Sequence, residues 1–311
     1  MASFGAGGGR RVLVTGAGGQ LGRELVAELR RRADGTVHGP PLEVLATDRS
    51  RLDVSSRDQV MAVVAGFEPD VVVNAAAFTD VDGCEDDPDR AFSVNALGVR
   101  HLAEAACLVG AHLCHVSTDY VFDGALDRAY DEWDRPAPRS VYGRSKLAGE
   151  LEAGPRATIV RTAWLCGRYG SNFVTRILEL ARVGGGPPLS VVDDQVGSPT
   201  VAAELAVTVA GLALSRRPGV FHVTNQGRAT RFELARAVLE LAGEDPGRVV
   251  PIATADLDPP PKAWRPPSSV LDNSALRRGG EPLLPHWKES FARLVAEIVA
   301  ARPATGATGP S

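Results

Sequence analysis

Tyr142 and Lys146 stand four residues apart in "SVYGRSKLAGE", one helical turn and therefore on one face. A phenol beside an ammonium is a way to build a proton donor. Tyrosine has a reference pKa of about 10, and bringing it towards 7 takes about 4 kcal/mol of differential stabilisation. A lysine at i+4 in a partly desolvated cleft favours the phenolate, so the spacing predicts a Tyr142 hydroxyl made more acidic by Lys146. Such a phenol protonates an alkoxide as hydride reaches a carbonyl carbon. Three N–H donors on Lys146 suffice to hold a cofactor ribose as well. Thr118 lies 24 residues before Tyr142 and follows Ser117 at the end of an apolar run. A hydroxyl there can orient a substrate oxygen against the phenol.

A second group of residues reads as a phosphate turn. In "TGAGGQLG", Gly16, Gly19 and Gly22 recur every third residue between an apolar run and a helical segment. Side chains at these positions would block the turn, the approach of a pyrophosphate, or helix–strand packing. The helix start offers free N–H groups and partial positive charge to phosphates. Asp48 ends the next apolar run, where an acid can accept from an adenosine ribose, and Arg49 beside it could instead hold a 2′-phosphate. The two cues conflict, so NADH and NADPH both stay open, and Asp48 also fits a plain turn or helix cap. Asp53 and Val54 could flank the adenine, although an Asp in a turn fits equally.

These groups need a scaffold. From Arg11 the chain alternates short apolar runs with helical periodicity: strands in "RVLVTG", "LEVLATD", "DVVVNAAA", "HLCHVST" and "ATIVRTAWL", and helices in "LGRELVAELRRR", "RDQVMAVVAGF", about Ala91 to Val109, and around Tyr142. This alternation predicts an α/β fold with a doubly wound parallel sheet, Rossmann-like, covered on both faces. Regularity fades after about Gly167, where Gly/Pro-rich loops separate helices in "TVAAELAVTVAGLAL" and "RFELARAVLELAG". The expected division is a tail at 1–10, a dinucleotide-binding domain at 11–168 with a return at about 197–225, a smaller mixed α/β substrate domain at 169–196 and 226–302, and a tail at 303–311.

Bulk properties narrow the class. A net charge of −4 gives no pull towards nucleic acid, and no apolar run reaches the length of about 18 residues needed for a membrane span. Cys84, Cys107, Cys114 and Cys166 show neither CxxC nor metal-ligand spacing, which points to reduced thiols in a cytoplasm.

The residues then resemble a family. Gly16-x-x-Gly19-x-x-Gly22, "NAAA" at 74–77, Thr118 and Tyr142-x-x-x-Lys146 are similar to the extended short-chain dehydrogenase/reductase superfamily. More narrowly, "GGQLG", "NAAAFTDVD", "STDYVFDG", "VYGRSKLAGE", "RTAWLCG", "NFV", "DDQVGSPT" and "WRPPSSVLD" resemble, in order, the dTDP-4-dehydrorhamnose reductase family. The resemblance implies NAD(P)H-dependent reduction of the 4-keto group of dTDP-4-dehydro-L-rhamnose, with Tyr142 as general acid, Lys146 as its tuner and ribose anchor, and Thr118 as the orienting hydroxyl. It implies that Gly19, Gln20 and Leu21 wrap the pyrophosphate, and that Asp53, Val54, Ala77, Phe78 and Thr79 line the adenosine side. Thr118, Asp119 and Trp164 would contact the nucleotide sugar, with Asn172, Gln195 and Arg265 as second-domain contacts. An indole face at Trp164 suits a deoxysugar or thymine, though a core tryptophan fits as well. Arg265 suits a diphosphate through bidentate guanidinium geometry. Two departures stand out: Phe78 replaces a His of some members, and Ser268 stands where Asn or a similar residue is usual. Some members pair through a metal-assisted contact. The sequence has no ligand cluster for one, and Mg2+ and a homodimer are carried only as open expectations.

Three rival functions share much of this pattern. A dehydratase of the superfamily carries Asp-Glu after the strand threonine, whereas here Asp119 precedes Tyr120. A regulatory NADP-binding subunit would not need the intact Thr118, Tyr142 and Lys146 set. A 4-ketoreductase for another dTDP-deoxysugar, such as dihydrostreptose synthase, is excluded by nothing in the sequence. Tyr142→Phe is expected to cut turnover by orders of magnitude while a cofactor titration stays close to normal; unchanged turnover would remove the phenol from the reaction.

Overall fold

The computed structural model describes residues 9–34, 41–181 and 186–301. The expected tails therefore lie almost wholly outside the described residues. Arg10 is a correction: it opens the first strand rather than closing a tail, and its guanidinium donates to the Leu214 carbonyl at 2.6 Å.

The first half alternates as the apolar runs require. β1 (Arg10–Thr15), α1 (Gln20–Ala33), β2 (Leu42–Thr47), α2 (Arg57–Phe67) and β3 (Val71–Asn74) are followed by two short helices, α3 (Val81–Asp86) and α4 (Pro88–Phe92). A π-helical turn, Ser93–Leu97, then leads into α5 (Gly98–Val109), β4 (His112–Thr118), α6 (Val141–Ala153) and β5 (Thr158–Thr162). The helix expected from about Ala91 to Val109 is present as an unbroken helical stretch that starts at Pro88 and contains this π-helical turn. The side chain of Asp87 caps α4, and Asn95 sits in a widened turn that a 3.6-residue period does not announce.

The second half is less regular. β6 (Leu165–Cys166), α7 (Phe173–Ala181), β7 (Leu189–Val192), β8 (Val196–Gly197) and β9 (Thr200–Val201) precede α8 (Ala202–Leu214) and β10 (Gly219–His222). Then come β11 (Ala229–Thr230), α9 (Arg231–Leu241), β12 (Val249–Ile252), α10 (Ser274–Arg278) and α11 (Trp287–Ala300).

Six parallel strands form the main sheet in the order β10-β5-β4-β3-β1-β2. This is a Rossmann-like, doubly wound sheet. Leu25, Leu29, Leu205 and Val209 from α1 and α8 cover one face. Val60, Val64, Val99 and Leu102 from α2 and α5 cover the other. With both faces buried, β3 reads as an unbroken "VVVN" rather than an alternating pattern. The chain winds outward in both directions from the β1–β3 pair, so a crevice opens at the C-terminal ends of those strands. A second core joins α7, α9 and α11 around Leu234, Leu239, Trp287 and Phe291. Leu276 of α10 and Leu284 instead pack into the main sheet's core.

α6 carries the chemistry-bearing pair, and two glycines let it dock. A Cβ on Gly143 would overlap the Tyr120 carbonyl oxygen, and one on Gly149 would overlap the Asn95 carbonyl oxygen. Gly149→Ala is expected to destabilise by about 1–3 kcal/mol through overpacking, despite alanine's better helix propensity. Gly66→Ala, where a Cβ meets nothing within 4 Å, is expected to gain up to about 1 kcal/mol. Urea denaturation of both variants measures the contrast.

Candidate active site

The crevice is built on backbone proximity. Gly16 sits at φ +69, and a Cβ there would lie 2.5 Å from the Ala76 nitrogen; a Cβ on Gly22 would overlap the Gly16 carbonyl oxygen. α1 therefore starts hard against the end of β1 and beside β3. Its N-cap, Gly19, has no side chain to accept from the first turn, and no acidic residue lies in that turn. The N–H groups at the start of α1 are left for an acceptor from outside the helix. The Gln20 Oε1, buried with no partner, lies in the same place.

Two grooves meet at this turn. One, of about 350 Å³, is lined by Gly16, Gly18, Asp48, Arg49, Asp53, Val54, Phe78 and Arg90, and the other, of about 430 Å³, by Gln20, Leu21, Thr79, Thr118, Tyr142 and Lys146; Gly19, Ala75 and Ala77 line both. The expected dinucleotide residues are brought together, except that Thr79 faces the second groove rather than the adenosine side. In the first groove, Asp48 Oδ1 accepts from the backbone and hydroxyl of Ser50, and Asp53 Oδ1 does the same from Ser55. Each is thus partly used by its own turn. The Arg90 guanidinium lies 4.4 Å from the Phe78 ring centroid, giving this groove a cationic wall.

In the second groove the phenol and amine are both buried, at 9% and 2% exposure. The Tyr142 and Thr118 side chains line the same groove. Burial pushes the Tyr142 pKa above the ordinary tyrosine value, with Asp119, Tyr120 and Cys84 adding to the rise and the nearby Thr118 hydroxyl opposing it. The expected acidification by Lys146 is therefore corrected. Lys146 donates instead to the Val116 carbonyl at 2.6 Å, across to β4, and its Nζ lies 3.4 Å from His115 Nε2. Burial brings the Lys146 pKa down to about 8. Tyr142 is a protonated phenol at neutral pH, the form that a proton donor needs.

Asp119 follows Thr118, which donates to its Oδ1 at 3.0 Å, while its Oδ2 is buried with no partner. Burial raises its pKa to about 6, against hydrogen bonds from Ser269 and Thr118 and the charge of Arg231. Arg231, at the start of α9, is a site residue that the sequence reading missed. It lines this groove and also an outer groove of about 760 Å³ that holds Arg176, Gln195, Lys262 and Arg265. Its guanidinium lies 3.5 Å from the Trp164 ring centroid. That indole face is covered by a cation and is not open to a sugar; the Trp164 backbone, at φ +45, is held in the left-handed region. Asn172 lines the groove, but its Oδ1 caps α7 by accepting from Val174 and Thr175, and its Nδ2 donates to Gly167. Gln195 donates to Thr254 Oγ1. Arg265 pairs with Asp82 at 2.7 Å, and its Nη1 is buried with no partner.

The chain matches the family described as the RmlD substrate binding domain over residues 10–300. It is 43% identical over 300 residues to a dTDP-4-dehydrorhamnose reductase of Mycobacterium tuberculosis, covering 94% of each chain. The chain belongs to the dTDP-4-dehydrorhamnose reductase family. The structure of that reductase from Bacillus anthracis in complex with NADP aligns with a TM-score of 0.86 and 37% identity, over 93% of this chain and 99% of that one. A probable dTDP-4,6-dihydroxy-2-methyloxan-3-one 4-ketoreductase of Streptomyces antibioticus is 42% identical over 298 residues, covering 94% of this chain and 96% of that one.

Asn95 is a second residue the sequence reading missed. It bonds both backbone groups of Phe78 and donates to Ser145, so it ties the cofactor-side loop to α6. A lone Asn inside an apolar helical run was the available signal. Among the described residues no three potential metal ligands converge, which leaves the Mg2+ expectation without a protein site. No helix of the described residues is long and apolar enough to cross a membrane.

The raised pKa of Asp119 makes a stability claim. Its folded value of about 6 lies above the unfolded 3.8, so the group's contribution is fully present below about 4 and is lost as pH rises through 6. Asp119→Asn is expected to stabilise the fold at pH 8 by up to about 2–3 kcal/mol, with the gain shrinking towards pH 4. Denaturant midpoints at the two pH values check it.

Proposed function

We propose that the chain reduces the 4-keto group of dTDP-4-dehydro-L-rhamnose to dTDP-L-rhamnose. It is an NAD(P)H-dependent oxidoreductase of its family, and we read its coenzyme as NADPH. The NADP-bound B. anthracis relative supports that reading, as does the cationic wall of Arg49 and Arg90 around the adenosine groove. When bound, the dinucleotide supplies the hydride.

The residues divide the remaining work. Gly19, Gln20 and Leu21 at the uncapped start of α1 would hold the pyrophosphate, and Lys146 the nicotinamide-side ribose. The protonated Tyr142 would give its proton to the sugar oxygen, which Thr118 holds in line. Arg231, and Arg265 beyond it, would receive the nucleotide diphosphate, with residues 169–196 and 226–302 supplying most of the outer groove. Orientation of two reactants in a dry cleft contributes several kcal/mol to such a step, on the order of 7–11 at best. The observation that carries this reading is the convergence of Thr118, Tyr142 and Lys146 in the groove that continues from the phosphate turn of Gly19, Gln20 and Leu21.

A second reading is reduction of another dTDP-4-keto deoxysugar, favoured by the 42% identity to the S. antibioticus ketoreductase. Incubation with a panel of dTDP-4-keto sugars, each with NADPH and with NADH, is expected to give fastest turnover with the rhamnose precursor and NADPH. Product NMR showing a different preferred sugar would replace the first reading by the second.

A further inference from the structure

A buried hydrogen-bond chain runs across β1, β3 and β4 to Lys146, through the register partners Thr15, Asn74 and His115. Asn74 Oδ1 accepts from the Thr15 hydroxyl at 2.7 Å and from the Ala76 backbone N–H at 3.0 Å. A backbone N–H can only donate, so the oxygen of this amide is fixed on that side. The Asn74 Nδ2 then faces His115 Nδ1 at 3.0 Å and must donate to it. His115 is fully buried, and burial together with the Lys146 charge holds its pKa well below the ordinary histidine value. A neutral imidazole that accepts at Nδ1 carries its hydrogen on Nε2. That N–H points at Lys146 Nζ, 3.4 Å away.

An ammonium at this point has no lone pair to offer, so N–H meets N–H in a low-dielectric interior. A neutral amine can accept from His115 while still donating to Val116. We propose that His115 is a positioning residue that presents an N–H rather than a lone pair to the Lys146 amine, and so eases that amine's loss of a proton. The inference rests on the reading of Lys146 given above.

Burial already favours the neutral amine, and the surrounding groups leave the His115 contact to add to it. Glu150 on α6 favours the ammonium, but its carboxylate is committed to Arg161 of β5 at 2.8 and 2.6 Å and to Ser117 of β4 at 2.5 Å. Tyr142, one turn back on α6, is a neutral phenol. Asp119 and Tyr120 beyond β4, and Cys84 of α3, are arranged around that phenol. Asn95 and Ser145, which link the π-helical turn to α6, are uncharged. The consequence is an upper pH limit for reduction set below the ordinary lysine range.

Two substitutions and one direct measurement test it. His115→Leu is expected to raise the alkaline limb of kcat/KM by about half a pH unit or more, the shift that loss of one hydrogen bond implies. Asn74→Asp keeps the shape but turns the imidazole round, since a carboxylate takes the Nδ1 proton and leaves Nε2 as an acceptor for the ammonium. It too should raise the limb, and it covers the case in which His115→Leu does not fold. In 15N-histidine, 13C-lysine protein, NMR should show His115 protonated at Nε2 and a Lys146 titration that moves up in both variants. A proton on Nδ1 in the unsubstituted protein, or a Lys146 titration unmoved in Asn74→Asp, would overturn the proposal. A moved titration with an unmoved rate limb would uphold the contact and overturn the catalytic reading of Lys146.

Discussion

The fold commits itself to burying an amine. Lys146 lies between α6 and β4 at 2% exposure, its Nζ against a backbone carbonyl and an imidazole. Long charged side chains normally keep their heads in water, and one taken inside must find hydrogen-bond partners or give up its charge. Much of the neighbouring structure answers that demand. Gly143 and Gly149 let α6 approach closely enough for the side chain to reach β4, and Asn95 fixes the helix laterally through Ser145. The Glu150–Arg161 pair, buried together one turn further on, shares the same interface. The active-site face of α6 is accordingly polar within the molecule, and its apolar residues do not gather on one side.

That arrangement explains which parts of the protein were legible in the chain. Strands such as "VVVN" and "HLCHVST" and the helix "RDQVMAVVAGF" stand out because apolar period and length agree locally. The phosphate turn is legible through its glycine spacing: Gly22 answers to the Gly16 carbonyl six residues back, whereas Gly16 answers to the Ala75–Ala76 backbone of the neighbouring strand's end. Tyr142, Lys146 and Thr118 could be picked by type and spacing, yet their electrostatics could not. The i+4 relation suggested a lysine acting on its helical neighbour, whereas the amine reaches across to a strand, and burial dominates the phenol. His115, Asn95 and Arg231 went unread because each owes its position to a partner 17 or more residues away, as in the Asn95–Phe78 bonds.

Arg231 shows how the two halves share one site. It leaves the start of α9, covers a face of Trp164 and lines both the inner and the outer groove. A cation in that position links the polar end of the inner groove, where Asp119 is held near neutrality, to the Arg265–Asp82 pair outside. The groove system is thus graded from a desolvated phenol and amine to an exposed basic rim. Such grading suits a long anionic ligand whose reacting end must be dry.

The uncapped start of α1 has a consequence for the life of the molecule. Other helices here close their first turn with their own side chains: Ser56 for α2, Ser140 for α6 and Thr230 for α9. α1 alone among these leaves its first turn without a side-chain cap, so a dinucleotide bound there, as proposed, would add its binding energy to the stability of the fold. On that reading the thermal midpoint of the protein would rise with dinucleotide concentration, by the mass action of a ligand that binds only the folded chain.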